Sequence, residues 1–141
     1  YVLYQKVKEL NLESFVEFEG WQNMSLFQSY ITITSIGICP LERNIQHDVA
    51  YANKLFQYMS FGVPVLVSNA KAQEKLVLKN NVGLVHHEKD PKDFAIKVLE
   101  LYKNKKLREN LGNNAKEFVR NKMNWEQTSK ELITLYKESL N

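Results

Sequence analysis

The sequence predicts an α/β fold, a Rossmann-like open parallel sheet with helices on both faces. Two observations carry that expectation. Short apolar runs alternate with helical patterns along the chain, the sequence form of parallel strands joined by helical crossovers. The runs at 31–39 and 63–67 are apolar nearly throughout, as strands buried on both faces must be. At 141 residues the chain is expected to be one domain, 1–141.

The elements follow in order. Val2, Leu3, Val7 and Leu10 fall at helical spacing, which predicts a helix over 2–10 with Asn11 as its stop. Phe15-Val16-Glu17-Phe18 alternates and ends at Gly20, predicting a short strand. A short helix is expected from Met24 to Tyr30, then a buried strand over 31–39, closed by Pro40. Residues 41–49 read as a polar, irregular loop. Leu55, Phe56 and Met59 form the stripe of a helix over 53–61, which Gly62 can end in the left-handed conformation. A strand at 63–67, a helix at 70–79 and a strand at 82–86 come next. Three helices are expected after Asp90-Pro91, at 92–103, 105–121 and 125–140, with Trp125 holding the last against the sheet. The chain opens on a helix with no strand before it and on Tyr1 rather than Met. Cutting or processing, with one or two sheet strands missing upstream, is therefore expected.

Composition narrows the function classes. A net charge of +3 with scattered Lys and Arg gives no basic face, so no nucleic acid is expected as a partner. The densest basic run, Lys103 to Lys106, reads as a solvated turn. No apolar stretch approaches the roughly 18–20 residues of a membrane span, so no transmembrane segment is expected. The single cysteine, Cys39, excludes an internal disulfide framework. It reads as a buried structural thiol ahead of a reactive nucleophile.

Ligands of such sheets bind beyond the carboxyl ends of the strands. Two loops suit: Gly20-Trp21-Gln22-Asn23, and 41–52 leading into the helix that opens near Asn53. A helix N-terminus offers free N–H groups and a positive dipole end. Asn53 and Gln57 are four apart, and Lys54 shares a face with Gln57 opposite Leu55 and Met59. A cation and two amides there suit phosphate and ribose hydroxyls. By spacing alone, an ordinary polar helix end fits these residues better.

The segment Ala52-Asn53-Lys54-Leu55-Phe56-Gln57-Tyr58-Met59-Ser60-Phe61-Gly62-Val63-Pro64-Val65 changes that balance. It is similar to the "NKLFEYMAxGxPV" stretch of the group-1 family of GT-B glycosyltransferases. Val16-Glu17-Phe18-Glu19-Gly20-Trp21 resembles the family's "V-x-F-x-G" strand and turn. Asn81-Val82-Gly83-Leu84-Val85 before Asp90-Pro91 resembles "xxGxLV…DP". Leu107 to Ala115 resembles the "R-x-x-L-G-x-x-A-R" helix, and Asn124-Trp125-Glu126 through Leu135-Tyr136 resembles the last helix. Each motif is soft alone; their order is specific.

The resemblance implies the donor-binding C-terminal domain of a retaining enzyme. Such an enzyme moves a sugar from a nucleoside-diphosphate sugar to a glycan or glycolipid acceptor and needs no metal or other cofactor. It implies Gly20, Trp21 and Gln22 beside the base, Ala50, Tyr51, Asn53 and Lys54 facing diphosphate and sugar, and Gln57 at the ribose. The acceptor domain would lie outside this chain, which alone would be inactive. The expected location is the cytoplasm, with the parent peripheral at a membrane surface and engaged in polysaccharide biosynthesis. Nucleotide-sugar epimerases share the GT-B fold, but "NKLFQYMSFG" resembles transferases more closely.

Departures from the pattern bear on catalysis. The family places two glutamates eight positions apart; here those positions hold Val49 and Gln57. Gln57 can still bond a ribose hydroxyl, whereas Val49 supplies no carboxylate. A shift of register would bring Asp48 or His47 there. Loss of the acids favours a different class, a non-catalytic binding module derived from a transferase. Elsewhere, His86-His87-Glu88 with Asp90 reads as an exposed loop ahead of a metal site, because adjacent strand-end residues point apart. Glu42 and Arg43 read as a solvated pair, and Phe27, Tyr30, Phe94, Tyr102 and Phe118 as core aromatics.

Overall fold

The computed structural model describes residues 2–140. Its chain forms two compact units, Tyr1–Tyr30 and Ile31–Asn141.

In the first unit, α1 (Val2–Glu9) runs out through a turn to Asn11, whose φ of 54° places it in the left-handed region. The expected strand at 15–18 does not form. The N–H groups of Phe15 and Val16 both donate to the Leu12 carbonyl, at 2.9 and 3.0 Å. That turn uses the donors a ladder would need. The alternation persists: Val16 and Phe18 are half-buried between exposed neighbours, and the Phe18 ring lies 4.1 Å from that of Tyr4.

α2 runs over Met24–Ile33, a turn further than expected, and the strand expected over 31–39 shrinks to β1 (Gly37–Cys39). β-Branched residues cost a helix only tenths of a kcal/mol each. Burial of Ile31 outweighs that, and the Thr34 N–H closes the last turn on the Ile31 carbonyl at 3.0 Å. Residues 41–49 are not wholly irregular either. Asn44 accepts from the His47 N–H at 2.7 Å and caps α3 (Ile45–Val49).

From there the sequence pattern and the structure agree closely. α4 (Asn53–Ser60), β2 (Val65–Ser68), α5 (Lys71–Asn80), β3 (Gly83–His86), α6 (Pro91–Lys103), α7 (Lys105–Lys122) and α8 (Trp125–Ser139) follow in turn. The strands form a parallel sheet in the order β1-β2-β3, with Cys39 opposite Val67 and Ser68 opposite His86. Helices cover both faces. Leu55 and Met59 of α4, Leu76 and Val77 of α5 and Ala115 of α7 pack with Cys39, Val65 and Val67. Leu101 of α6 and Leu111 of α7 pack with Leu66 on the other face. The fold is α/β and Rossmann-like.

Several smaller expectations change. Trp125 is 72% exposed. It opens α8 behind its Asn124 cap instead of anchoring the helix, and no described residue of α8 is buried. Phe94 and Phe118 pack against the core, but Phe27, Tyr30 and Tyr102 are exposed. Cys39 is fully buried, and burial pushes its thiol pKa up, away from nucleophilic use. No described helix is long and apolar enough to cross a membrane.

Candidate functional site

The carboxyl ends of β1, β2 and β3 carry a polar lattice that ties their three following loops together. After β1, the Arg43 guanidinium donates to both carboxylate oxygens of Asp48, at 3.1 and 2.9 Å. Asp48 also accepts the backbone N–H of Lys71 at 3.0 Å, at the start of α5 after β2. The Arg43 backbone N–H donates to the Glu88 carboxylate, after β3. The Asn69 amide oxygen accepts the Glu88 N–H at 2.9 Å. Beneath them, the Ser68 hydroxyl donates to the Leu41 carbonyl at 2.5 Å, and the buried Gln73 amide donates to Ser68 Oγ and the Cys39 carbonyl at 3.0 and 3.2 Å. Glu42 pairs with Lys89, so Glu42 and Arg43 do not pair with each other.

The lattice holds Asp48 well below the ordinary carboxylate range, at about 2. The hydrogen bonds from Arg43 are the largest cause, followed by the one from the Lys71 N–H. Its carboxylate is therefore committed to structure. His47 Nδ1 sits 2.5 Å from the Glu42 carbonyl, so it too is engaged within the loop. Val49, at the earlier acid position, is 76% exposed and apolar. At the end of β3, His86 Nδ1 lies 2.8 Å from the His87 carbonyl and its ring packs edge-on to Phe94. Glu88 is taken by Arg43. Among the described residues no three His, Cys, Asp or Glu side chains converge as metal ligands would.

α4 begins against this floor. Its cap is Ala52, whose side chain cannot accept a hydrogen bond, so no side chain competes for the first-turn donors. Asn53, Lys54 and Gln57 are all exposed on the face opposite buried Leu55 and Met59. Lys54, exposed in the first turn of α4, pulls the Cys39 thiol pKa down against the larger effect of burial. Ala50, exposed, ends α3. Tyr51 is 45% exposed and meets the Phe56 ring edge-on at 5.6 Å. Its other neighbours are unexpected, since it lines a hollow formed by α5 and α7. Gly20, Trp21 and Gln22 belong to the first unit. Gly20 has a φ of 63°, Trp21 is 97% exposed, and the Gln22 amide donates to the Glu19 carbonyl at 2.6 Å.

Sequence reasoning thus located α4 and its polar face but missed the lattice. Arg43, Asp48, Asn69, Gln73 and Glu88 meet only in three dimensions. The one local signal was Asn44 before Ile45, a cap residue ahead of an apolar one.

Residues 1–118 match the family described as Glycosyl transferases group 1. The chain belongs to that family. Among its relatives, an uncharacterized glycosyltransferase of Methanocaldococcus jannaschii is 26% identical over 139 residues, 96% of this chain and 38% of that protein. A capsular polysaccharide biosynthesis glycosyltransferase of Staphylococcus aureus, CapM, is 28% identical over 97 residues, 66% of this chain and 26% of that one. The chain therefore spans well under half the length of either. In fold it is similar to sucrose-phosphate synthase from Thermosynechococcus elongatus, with a TM-score of 0.86 at 21% identity over 98% of this chain and 33% of that one. It is also similar to the C-terminal domain of a group 1 glycosyl transferase, LpcC, from Francisella tularensis. The TM-score there is 0.74 at 22% identity, over 88% and 62% of the two chains.

Proposed function

We propose that this chain is the donor-binding half of a GT-B glycosyltransferase, binding a nucleoside-diphosphate sugar whose glycosyl group passes to a glycan or glycolipid held by a further domain. The observation that carries this is α4 itself. In a group 1 chain, a helix without a side-chain cap opens at the ligand edge of the sheet, with Lys54 exposed in its first turn. A diphosphate needs positive potential without a competing acceptor, and a helix N-terminus with a lysine provides it.

Asn53 and Lys54 meet the diphosphate and sugar, with Ala50 and Tyr51 leading the chain to them, and Gln57 bonds ribose hydroxyls one turn along. In the transfer the bond from the anomeric carbon to the diphosphate oxygen breaks, and its electron pair leaves on the diphosphate. The acceptor oxygen bonds to the anomeric carbon, and its proton passes to the departing diphosphate. Lys54 and the helix end stabilise the charge that develops on the leaving group, so the step needs no metal. Retention of configuration follows the family pattern. The chain alone lacks the acceptor wall that aligns the reactants and excludes water, so it binds donor without turning it over. Its parent works in polysaccharide biosynthesis, which the relative named for capsule synthesis supports, and its place is the cytoplasm, peripheral to a membrane.

A second reading, a non-catalytic binding module, is favoured by one observation. Val49 is exposed where the family has an acid, and both neighbours that could replace it, His47 and Asp48, are engaged elsewhere.

Thermal unfolding against UDP, GDP, ADP and their sugar conjugates tests the site. Ligand at about 100 times its dissociation constant adds roughly 2.7 kcal/mol, a shift of about 5–11 °C for a domain of this size. A shift with one base, diminished in Lys54→Gln, is expected. Silence across the panel, here and in the longer protein, would sink the donor reading. A donor-induced shift in the longer protein without sugar transfer would leave the binding module.

A further inference from the structure

Tyr51 belongs to a second concave feature, on the α5–α7 side of the domain. A hollow of about 290 Å³ is lined there by Lys75 and Lys79 of α5 and Lys122 of α7, together with Tyr51, Asn80 and Phe118. No carboxylate lines it. None of the three lysines has an ion-pair partner among the described residues. Lys75 and Lys79 stand four apart on one helix, where like charges repel. Lys122 and Lys79 each have a local reason for their place, the negative ends of α7 and α5, but Lys75, a turn further into α5, has none. The acid on this stretch of α7, Glu117, lines an adjoining hollow that shares Asn80, Phe118 and Lys122 with this one, so it stands on the Lys122 side, away from the α5 pair.

Beneath the cations the hollow is apolar and held in shape. The Tyr51 ring is set edge-on to Phe56, Phe118 packs into the core, and Leu76 and Met123 complete the lining. The Asn80 side-chain N–H donates to the Leu76 carbonyl at 2.8 Å, which leaves its amide oxygen to accept from a ligand. An apolar, aromatic concavity with a few convergent polar groups is the ordinary form of a small-molecule site.

We propose that this hollow binds an anionic sugar unit, a pyranose bearing a phosphate or carboxylate group. The ring's C–H face lies against Tyr51 and Phe118, a hydroxyl donates to the Asn80 oxygen, and the three ammonium groups meet the anion. Concavity and an apolar lining favour an inserted ring over contact with a flat anionic surface. The choice of a sugar follows from the family, whereas the cations and aromatic walls are properties of the hollow itself. The hollow shares Tyr51 with the approach to α4, but its cations are others than Lys54 and the proposal does not depend on the donor reading. The unit could come from an acidic glycan chain or from a free sugar phosphate.

Calorimetric titration at matched ionic strength distinguishes these sources, using glucose 6-phosphate, a glucuronate-containing oligosaccharide, glucose, inorganic phosphate and phosphatidylserine vesicles. One of the first two is expected to bind about tenfold tighter than either glucose or phosphate, and more weakly as salt rises. Tighter oligosaccharide binding assigns the glycan chain; tighter sugar-phosphate binding assigns the free metabolite. Lys75→Gln with Lys79→Gln, both exposed and without structural partners, should lower that affinity about tenfold with an unchanged melting temperature. Lys122→Gln alone should lower it less. Phosphate binding as tightly as the sugar phosphate, affinity untouched by the double substitution, binding to vesicles alone, or no binding at all would each overturn the site. The donor site is read independently through nucleotide sugars and Lys54, with these lysines intact.

Discussion

Asp48 shows how much structure can rest on one side chain that a sequence gives little reason to single out. It joins the loops after β1 and β2 by accepting from Arg43 and from the Lys71 N–H, and its pKa falls from 3.8 to about 2. A carboxylate whose pKa is lower folded than unfolded stabilises the fold fully above the unfolded value. That contribution is lost as pH falls through the folded one. Asp48 should therefore contribute to acid unfolding between about pH 4 and 2. Asp48→Asn should be less stable at neutral pH and show a flatter pH dependence in that window. Urea unfolding at a series of pH values checks this, and parallel curves for the two proteins would contradict it. Lys54 and Gln57 were legible because helical periodicity alone puts them opposite Leu55 and Met59. The Asp48 lattice was not, because its partners come from three loops and no spacing along the chain brings them together.

Legibility at the level of elements divides near residue 50. From α4 onward each predicted helix and strand is present, because buried stripes, caps and glycines agree with one another. Before it, local pattern and tertiary context disagree. The alternation at 15–18 survives without a ladder, and the β-branched run at 31–39 is split between α2 and β1. Strand propensity reflects packing on a neighbour, which composition cannot supply. The α4–β2 turn shows the opposite case, a local choice fixed by contact. Gly62 ends α4 at a φ of 75°, and its carbonyl oxygen lies 2.1 Å from where a β-carbon on Gly112 of α7 would stand. Alanine normally favours a helix over glycine by about 1 kcal/mol. Here Gly112→Ala should instead destabilise by about 1–3 kcal/mol, as overpacking does, in urea unfolding. A neutral or stabilising result would show that α7 can move away from the turn. Deleting 125–141, which contains α8, should cost little, under about 1 kcal/mol, because none of the helix's described residues is buried. A large loss of stability would show that α8 holds the domain together.

Across the whole chain, burial is unevenly shared, and that sets an expectation for how the protein opens. In the first unit no described residue is buried, whereas every residue of β2 is, and β2 is hydrogen-bonded on both sides. Amides open locally with free energies that follow buried apolar contact, up to the global value in the innermost elements. Hydrogen exchange should therefore be slowest at Val65, Leu66 and Val67, intermediate in α4 and α7, and fastest over 11–23, where the backbone bonds are few and exposed. Mass spectrometry of peptides from each region reads this directly. A nucleotide ligand bound at α4 should add protection there and in the loop before it, beyond any global stabilisation. Protection of 11–23 equal to that of β2 would mean that the first unit is held by contacts as extensive as the sheet's own. If α4 exchanges no more slowly with saturating donor than without, the ligand engages some other part of the domain.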